Sequence, residues 1–325
     1  MRALRVAFWN VENLFAAGAV DRGPQTEDEL KAKLRVLADT IDSFFDGRGP
    51  DLLGLAEVGT LAVLDLLLER LNGEYVRVWE APSRRDETGI AICGRRGVVS
   101  DLEPLRVQRP VLEARPRWLA CRCALHAAVD PFIVVVTHWK SDRPGGLVPP
   151  KHDRLESARG LADFLSQRED TPCALVIGDF NVRPTEAPFA DAGLGGHLHF
   201  NSVFTTMANP RLLYNTAWRF VCEPDYYEDT LRPNYQEPRP KTSFGEKAHD
   251  AILDQLLVSG RALRGGPLSL RERTVCYYHD QCTELYTPTG ALRPRVWRYD
   301  GPGDSLGASD HFPLLAEFVV NEEVL

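Results

Sequence analysis

Four short apolar runs in this chain each stop on a polar side chain. VAFWN (residues 6–10) closes on Asn10, LLGLAE (52–57) on Glu57, IVVVTH (133–138) on His138 and ALVIGD (174–179) on Asp179. Continuous apolar runs of this length, rich in branched side chains, are the pattern of strands buried on both faces. Strands of that kind need cover on both sides, which points to a layered α/β architecture. Ending them on acids and imidazoles carries a desolvation cost that pairing or a metal must offset. Asn181 follows Asp179 at a spacing of two, which puts both side chains on one face of an extended segment. A carboxylate beside a neutral donor suits metal-assisted chemistry at a phosphate. An Asx turn satisfies the same spacing.

Between these runs the periodicity changes. Leu30, Leu34, Leu37 and Ile41 recur at helical spacing within about 26–45, behind acidic residues that suit a helix N-terminus. A second helix is predicted over about 61–71, ended by Asn72-Gly73, and a third over about 153–167. YVRVWEA, TGIAICG, WLACRCAL and FIVVVTH follow one another too closely for a crossover helix each time, so part of the sheet is expected to be antiparallel. Regularity fades from 197 to 247, where Pro210, Pro224, Pro233, Pro238 and Pro240 punctuate an aromatic-rich stretch. It is too aromatic for a disordered linker and reads as a long ordered loop region near a site. AILDQLLVS and FPLLAEFVV then resume strand character. No repeat or boundary divides the chain, so residues 1–325 are expected to form a single domain.

A net charge of -8 argues against a broad basic surface for duplex nucleic acid, but leaves room for a local basic groove. The seven cysteines form no paired CxxC pattern, and several sit in apolar runs, as in a reducing compartment. Asn10, Glu12 and Asn13 interrupt the apolar N-terminal run, which argues against a signal peptide, and no run is long enough to span a membrane. A cytoplasmic protein with no membrane partner is expected.

The last strand, unlike the others, begins just after a polar triplet, Ser309-Asp310-His311. If it runs antiparallel to its neighbours, its start lies at the edge where they end. One edge then gathers an amide, carboxylates and two imidazoles, and polar groups at the mouth of a layered core make a site. Each member alone has a structural explanation: a turn, a surface acid or a satisfied core histidine. Independent explanations for all of them at once do not fit a single sheet edge.

WNVENLF, AEV, VVTHWKS, GDFNVRP, LDQLLVS and SDHFP, in this order, resemble the endonuclease/exonuclease/phosphatase superfamily. The resemblance runs from Arg5 to Val319; THWKS and LYNTAWRF are most similar to a bacterial nuclease-like branch. It implies a DNase I-like, four-layered α/β sandwich in which two mixed β-sheets pack face to face with flanking helices. It further implies Glu57 as the principal Mg²⁺ ligand, with Asn10 beside it and Asp310 completing the site; Mn²⁺ can substitute. One or two carboxylates suit a hard cation that keeps several waters. His311 matches the histidine at the attacking water or phosphoryl oxygen, oriented by Asp254. Asp179 is placed to handle a proton, Asn181 to donate to a phosphoryl oxygen, and His138 to contact phosphate or protonate the leaving oxygen. Which of these is base and which acid stays open.

Lys140 and Arg154 are candidate phosphate contacts, although solvated arginines and lysines are common on helices. Arg84, Arg85, Arg95 and Arg96 could form a basic rim or a plain charged hairpin. Tyr226, Tyr227 and Tyr235 could stack on bases or pack their loop, and His249-Asp250 reads as structural. The expected activity is an Mg²⁺-dependent phosphodiesterase, a nuclease on DNA or RNA. The alternatives are a phosphoesterase of nucleotides, phosphoinositides or phospholipid head groups, and an inactive binding protein on this fold.

Overall fold

The computed structural model describes residues 2–82, 87–105, 117–127, 130–141, 150–168, 173–186, 188–189, 202–208, 212–222, 226–228, 236–238, 244–246, 249–264, 266–280, 284–286, 292–295 and 307–321. Numbering only the strands of the two large sheets, the order is β1 (Ala3–Leu14), α1 (Glu27–Gly47), β2 (Leu52–Val58), α2 (Leu61–Leu68), β3 (Tyr75–Glu80), β4 (Gly89–Arg95), β5 (Val99–Pro104), β6 (Trp118–Leu125), β7 (Phe132–His138), α3 (Pro150–Ser166) and β8 (Ala174–Asp179). There follow α4 (Ser202–Ala208), β9 (Leu213–Asn215), α5 (Trp218–Cys222), β10 (Asp254–Ser259), α6 (Gly260–Leu263), β11 (Leu268–Tyr277) and β12 (Leu314–Val320).

The strands form two mixed six-stranded sheets, ordered β11-β12-β1-β2-β4-β3 and β5-β6-β7-β8-β10-β9. Alternation along each strand builds the layers. From β1, Leu4, Val6 and Phe8 point between the sheets, where they join Leu119, Val134, Val136, Leu175, Ile177 and Leu256. The intervening Ala7, Trp9 and Val11 face the other way, against Leu30, Leu34, Leu37 and Ile41 of α1 and Leu64 of α2. Behind the second sheet, Ile133, Val135 and Val176 pack on Ala158 and Leu161 of α3. Helix, sheet, sheet, helix is therefore the layer order, a four-layered α/β sandwich.

Local chemistry fixes the helix starts. Thr26 accepts the Glu29 amide at 3.2 Å, and Glu27, Asp28 and Glu29 sit in the first turn of α1, where the helix dipole favours acids. Thr60 caps α2 in the same way through the Val63 amide.

The 197–247 stretch is more regular than its prolines suggest. Among its described residues, α4 and α5 are helical and β9 forms the edge of the second sheet, antiparallel to β10. A three-residue strand is too short to leave a period-two signature. The described backbone also includes short antiparallel ribbons, Tyr226–Glu228 with Gln236–Pro238 and Phe244–Glu246 with His249–Ala251. The second ribbon contains His249 and Asp250. Tyr235, Arg84 and Arg85 lie outside the described residues.

Gly54 of β2 sets the distance between the sheets. A Cβ there would fall 2.6 Å from Val136 Cγ2 and 3.2 Å from Phe8 Cδ2. Overpacking of this kind costs about 1–3 kcal/mol. Gly54→Ala is expected to lower the unfolding free energy in urea by that amount. Adding Val136→Ala should destabilise less than the two single changes summed, because the new methyl partly fills the vacated space. A Gly54→Ala protein as stable as the parent would contradict this close approach.

Candidate active site

The strand register lines up the polar ends. β7 and β8 run parallel with His138 opposite Asp179, and β8 and β10 run antiparallel with Asp254 opposite Asp179. All three share parity with residues that face the other sheet (Val136, Ile177 and Leu256), so their side chains enter the inter-sheet space. Asn10 shares parity with Phe8 and enters from the first sheet. β12 is antiparallel to β1, which brings its start, with Asp310 and His311, to the same edge.

Glu57 reaches this edge by a different route. Its neighbour Ala56 already faces the inter-sheet core, so regular alternation would send Glu57 toward the helices. A register shift between Ala56 and Val58 and a left-handed backbone at Glu57, with φ of 66°, redirect it. Non-glycine residues in that region are strained and cluster at functional sites. Asn181 shares the feature, with φ of 48°.

The side chains meet in one network. His311 Nδ1 lies 2.6 Å from Asp254 Oδ2, and its Nε2 lies 3.8 Å from both Asp179 Oδ2 and Asp310 Oδ1. Asn10 Nδ2 donates to Asp179 Oδ2 at 3.1 Å and to Glu57 Oε1 at 3.3 Å, while its Oδ1 accepts the Glu12 amide at 3.1 Å. The Asn13 amide donates to Glu57 Oε2 at 2.7 Å. His138 Nε2 stands 3.7 Å from both Glu57 Oε1 and Asp179 Oδ2. Asn181 donates its backbone amide to Asp179 Oδ1 at 2.8 Å and its side-chain Nδ2 to Asp179 Oδ2 at 3.1 Å, so the Asx-turn bond is present within the cluster. Its Nδ2 is also held by the Trp139 carbonyl at 2.9 Å. Ser309 Oγ closes the edge, donating to the Asn10 carbonyl at 2.6 Å and accepting the His311 amide.

Burial and charge act against each other throughout. Burial disfavours the His311 imidazolium, but Asp254, Asp179 and Asp310 outweigh it and lift the pKa well above the ordinary histidine value. For Asp179, burial and then Asp254 push the carboxyl up against the pull of His311, His138 and the Asn181 amide. Burial would also raise Glu57, yet His138, the Asn13 amide, His311 and Asn10 together hold it below the usual range.

Two oxygen and nitrogen sets could hold a cation. Asp179, Asp254 and His311 place ligand atoms within 4.8 Å of one another. There, however, a cation would have to break the short Asp254–His311 hydrogen bond. Glu57, its side chain about a fifth exposed, offers carboxylate oxygens at the mouth of the site. That donor type suits Mg²⁺ or Mn²⁺. Asn10 could join only through the Oδ1 that already accepts from Glu12, since its amide hydrogens face the carboxylates.

Lys140 and Arg154 lie at the adjoining segment. Lys140 Nζ pairs with Asp153 at 2.9 Å, and the buried Arg154 donates Nη1 to the Lys140 carbonyl at 3.2 Å. Arg95 is structural, bonding the carbonyls of Pro50, Asn72 and Arg48, and Arg96 lies 3.6 Å from Glu74. Two buried residues near the site escaped the sequence reading. Gln255 donates to the Val182 carbonyl behind Asn181 and receives Asn215 Nδ2 at 2.6 Å. Lys33 of α1 donates to the Glu12 carbonyl. Its signal was a lysine on the same helix face as Leu30, Leu34 and Leu37.

The chain belongs to the endonuclease/exonuclease/phosphatase family, whose model matches residues 7–311. No curated protein gives a sequence match to the chain. Solved structures share the fold at low identity. An endonuclease/exonuclease/phosphatase family protein from Bacteroides thetaiotaomicron is 17% identical, with TM-score 0.59 over 98% of this chain and 96% of that one. TDP2 from D. rerio, complexed with single strand DNA product, is 14% identical with TM-score 0.56, covering 98% and 99%. The human Nocturnin catalytic domain with bound sulfate anion is 19% identical with TM-score 0.56, covering 98% and 95%. The family includes nucleases and phosphodiesterases and is generally hydrolytic. Among the described residues no helix is long and apolar enough to cross a membrane.

Because Asp254 is the leading carboxylate that lifts His311, Asp254→Asn is expected to bring its pKa down by NMR titration of the metal-free protein. An unmoved His311 titration would remove Asp254 from that role.

Proposed function

We propose that this chain, acting as one domain over residues 1–325, is a divalent-metal-dependent phosphodiesterase whose substrate is nucleic acid. The observation that carries this reading is the convergence of Glu57, Asn10, Asp179, Asp254 and His311 from both sheets onto one edge, within a family of hydrolases. Glu57 and Asp310 would hold Mg²⁺, with Mn²⁺ able to substitute and Asn10 keeping Glu57 in place. The cation would neutralise charge gathering on a phosphoryl oxygen.

The remaining roles follow from geometry and charge. Asp254 holds Nδ1 of His311 and keeps the ring cationic, so Nε2 faces the reacting centre as a proton donor to a phosphoryl oxygen. Asp179, with its pKa raised, is the better acceptor for the proton of the attacking water. Asn181 orients Asp179 through two hydrogen bonds. His138, between Glu57 and Asp179, serves the leaving oxygen. Lys140 and Arg154 would meet flanking phosphates; for Lys140 this requires exchanging its Asp153 partner for substrate, and for the buried Arg154 it requires the segment carrying Lys140 to move aside. DNA or RNA as substrate is supported by the family and by a structural neighbour that was solved with a single strand DNA product. The net charge of -8 favours a small phosphoester instead, and that reading is tested alongside. We further propose a cytoplasmic setting, in keeping with the buried free thiols of Cys93, Cys121, Cys123 and Cys173.

The test is hydrolysis of circular and linear DNA, single-stranded DNA, RNA, a small phosphodiester and a phosphomonoester in Mg²⁺, Mn²⁺ or EDTA. Cleavage of a nucleic acid that EDTA abolishes is expected. His311→Ala and Asp179→Asn should each slow it by about 10²–10⁴-fold. Activity confined to the small esters would favour the alternative, and cleavage surviving EDTA or both variants would refute the mechanism.

A further inference from the structure

The fully buried Lys33 stands behind the site and has no part in the chemistry above. It projects from α1 through the helix–sheet core and donates Nζ to the carbonyl of Glu12. That carbonyl belongs to the same peptide unit as the Asn13 amide, which donates to Glu57 Oε2 at 2.7 Å. One rigid, planar group is thus held at its oxygen by an ammonium and presents its N–H to the carboxylate. Glu12 and Asn13 are both left-handed, with φ of 47° and 51°, a conformation the backbone does not keep without support. The Glu12 amide, within the register shift of β1 between Asn10 and Leu14, holds Asn10 Oδ1 at 3.1 Å.

We infer that Lys33 is a positioning residue for the metal site: it fixes the 12–13 peptide so that the Asn13 amide orients Glu57 to receive the cation. The inference rests on Glu57 being the metal ligand of the proposed function. Burial lowers the Lys33 pKa to about 8 against the opposing pull of Glu12, Glu57 and Asp310, so the ammonium is mostly protonated at pH 7. A lysine that only filled the core would be better replaced by leucine or methionine, since burying an ammonium is costly.

Two effects of removing Lys33 have opposite signs, and this makes the inference testable. Losing a positive charge near Glu57 and Asp310 would tighten cation binding. Losing the donor frees the 12–13 peptide to turn and would weaken it. Outer hydrogen-bond partners of metal ligands are typically worth 10–100-fold in affinity, and we take this effect as the larger.

The experiment measures Mn²⁺ binding to the full chain by electron paramagnetic resonance, with thermal unfolding in EDTA run in parallel. Lys33→Met is expected to raise the Mn²⁺ Kd by about tenfold or more. Lys33→Gln, which keeps an N–H donor, should raise it less. In a Glu57→Gln background, Lys33→Met should add no further loss. A folded Lys33→Met protein that binds Mn²⁺ as tightly as the parent, or more tightly, overturns the positioning role. If neither variant folds, hydrogen exchange in the unmodified protein decides: a strongly protected Asn13 amide supports the role and a fast-exchanging one overturns it. A parent chain that binds no Mn²⁺, or a Glu57→Gln variant that binds it normally, would instead defeat the metal reading on which the inference stands.

Discussion

Two buried carboxylates, Asp179 and Asp254, each draw a partner from the opposite sheet. Asp254, from the second sheet, is bonded to His311, which leads into the last strand of the first, and Asp179 receives Asn10 from the first. An uncompensated buried charge costs several kcal/mol, more than a single hydrogen bond returns. Removing one partner therefore leaves a deficit in the sheet facing it. The polar edge is thus a seam as well as a site, joining the two halves of the sandwich where the apolar core ends.

Several departures from regular structure fall at this seam. Gly178 precedes Asp179 because a Cβ there would lie 2.1 Å from the Thr137 carbonyl oxygen, on the strand that supplies His138. Glu57 leaves the alternation of its strand through a left-handed bulge, and Glu12, Asn13 and Asn181 are left-handed as well. Elsewhere β1, β2 and β8 follow the period-two rule closely. Left-handed residues gathered at this edge fit a site whose geometry is held by the surrounding packing. Trp139, Phe180 and Phe189 provide such packing behind the Asp179 loop, with ring centroids 4.9–5.8 Å apart.

Much of this was readable from sequence because buried strands with polar ends leave a local trace. Asn10, His138, Asp179 and Asp310-His311 declared themselves by position, and the antiparallel final strand was the one topological condition needed to unite them. What stayed hidden depended on other things. The turn of Glu57 toward the site comes from a backbone shift that no residue type announces. Lys33 looked like one charge among several on a helix, and only the placement of its face against β1 reveals its reach. β11 has the alternating charges of LSLRERTVCY, which suit an exposed edge strand but resemble a loop in sequence. β9 is too short to show a period at all.

The proposed function turns on one hard cation held by Glu57, within reach of the Asp179–His311–Asp254 set. The decisive measurement is anomalous scattering from crystals soaked in Mn²⁺. A single anomalous peak is expected within bonding distance of a Glu57 carboxylate oxygen, with the Asp254–His311 hydrogen bond intact. A peak between Asp179, Asp254 and His311 with that bond broken, or no peak near Glu57 in a folded protein, would contradict the proposal.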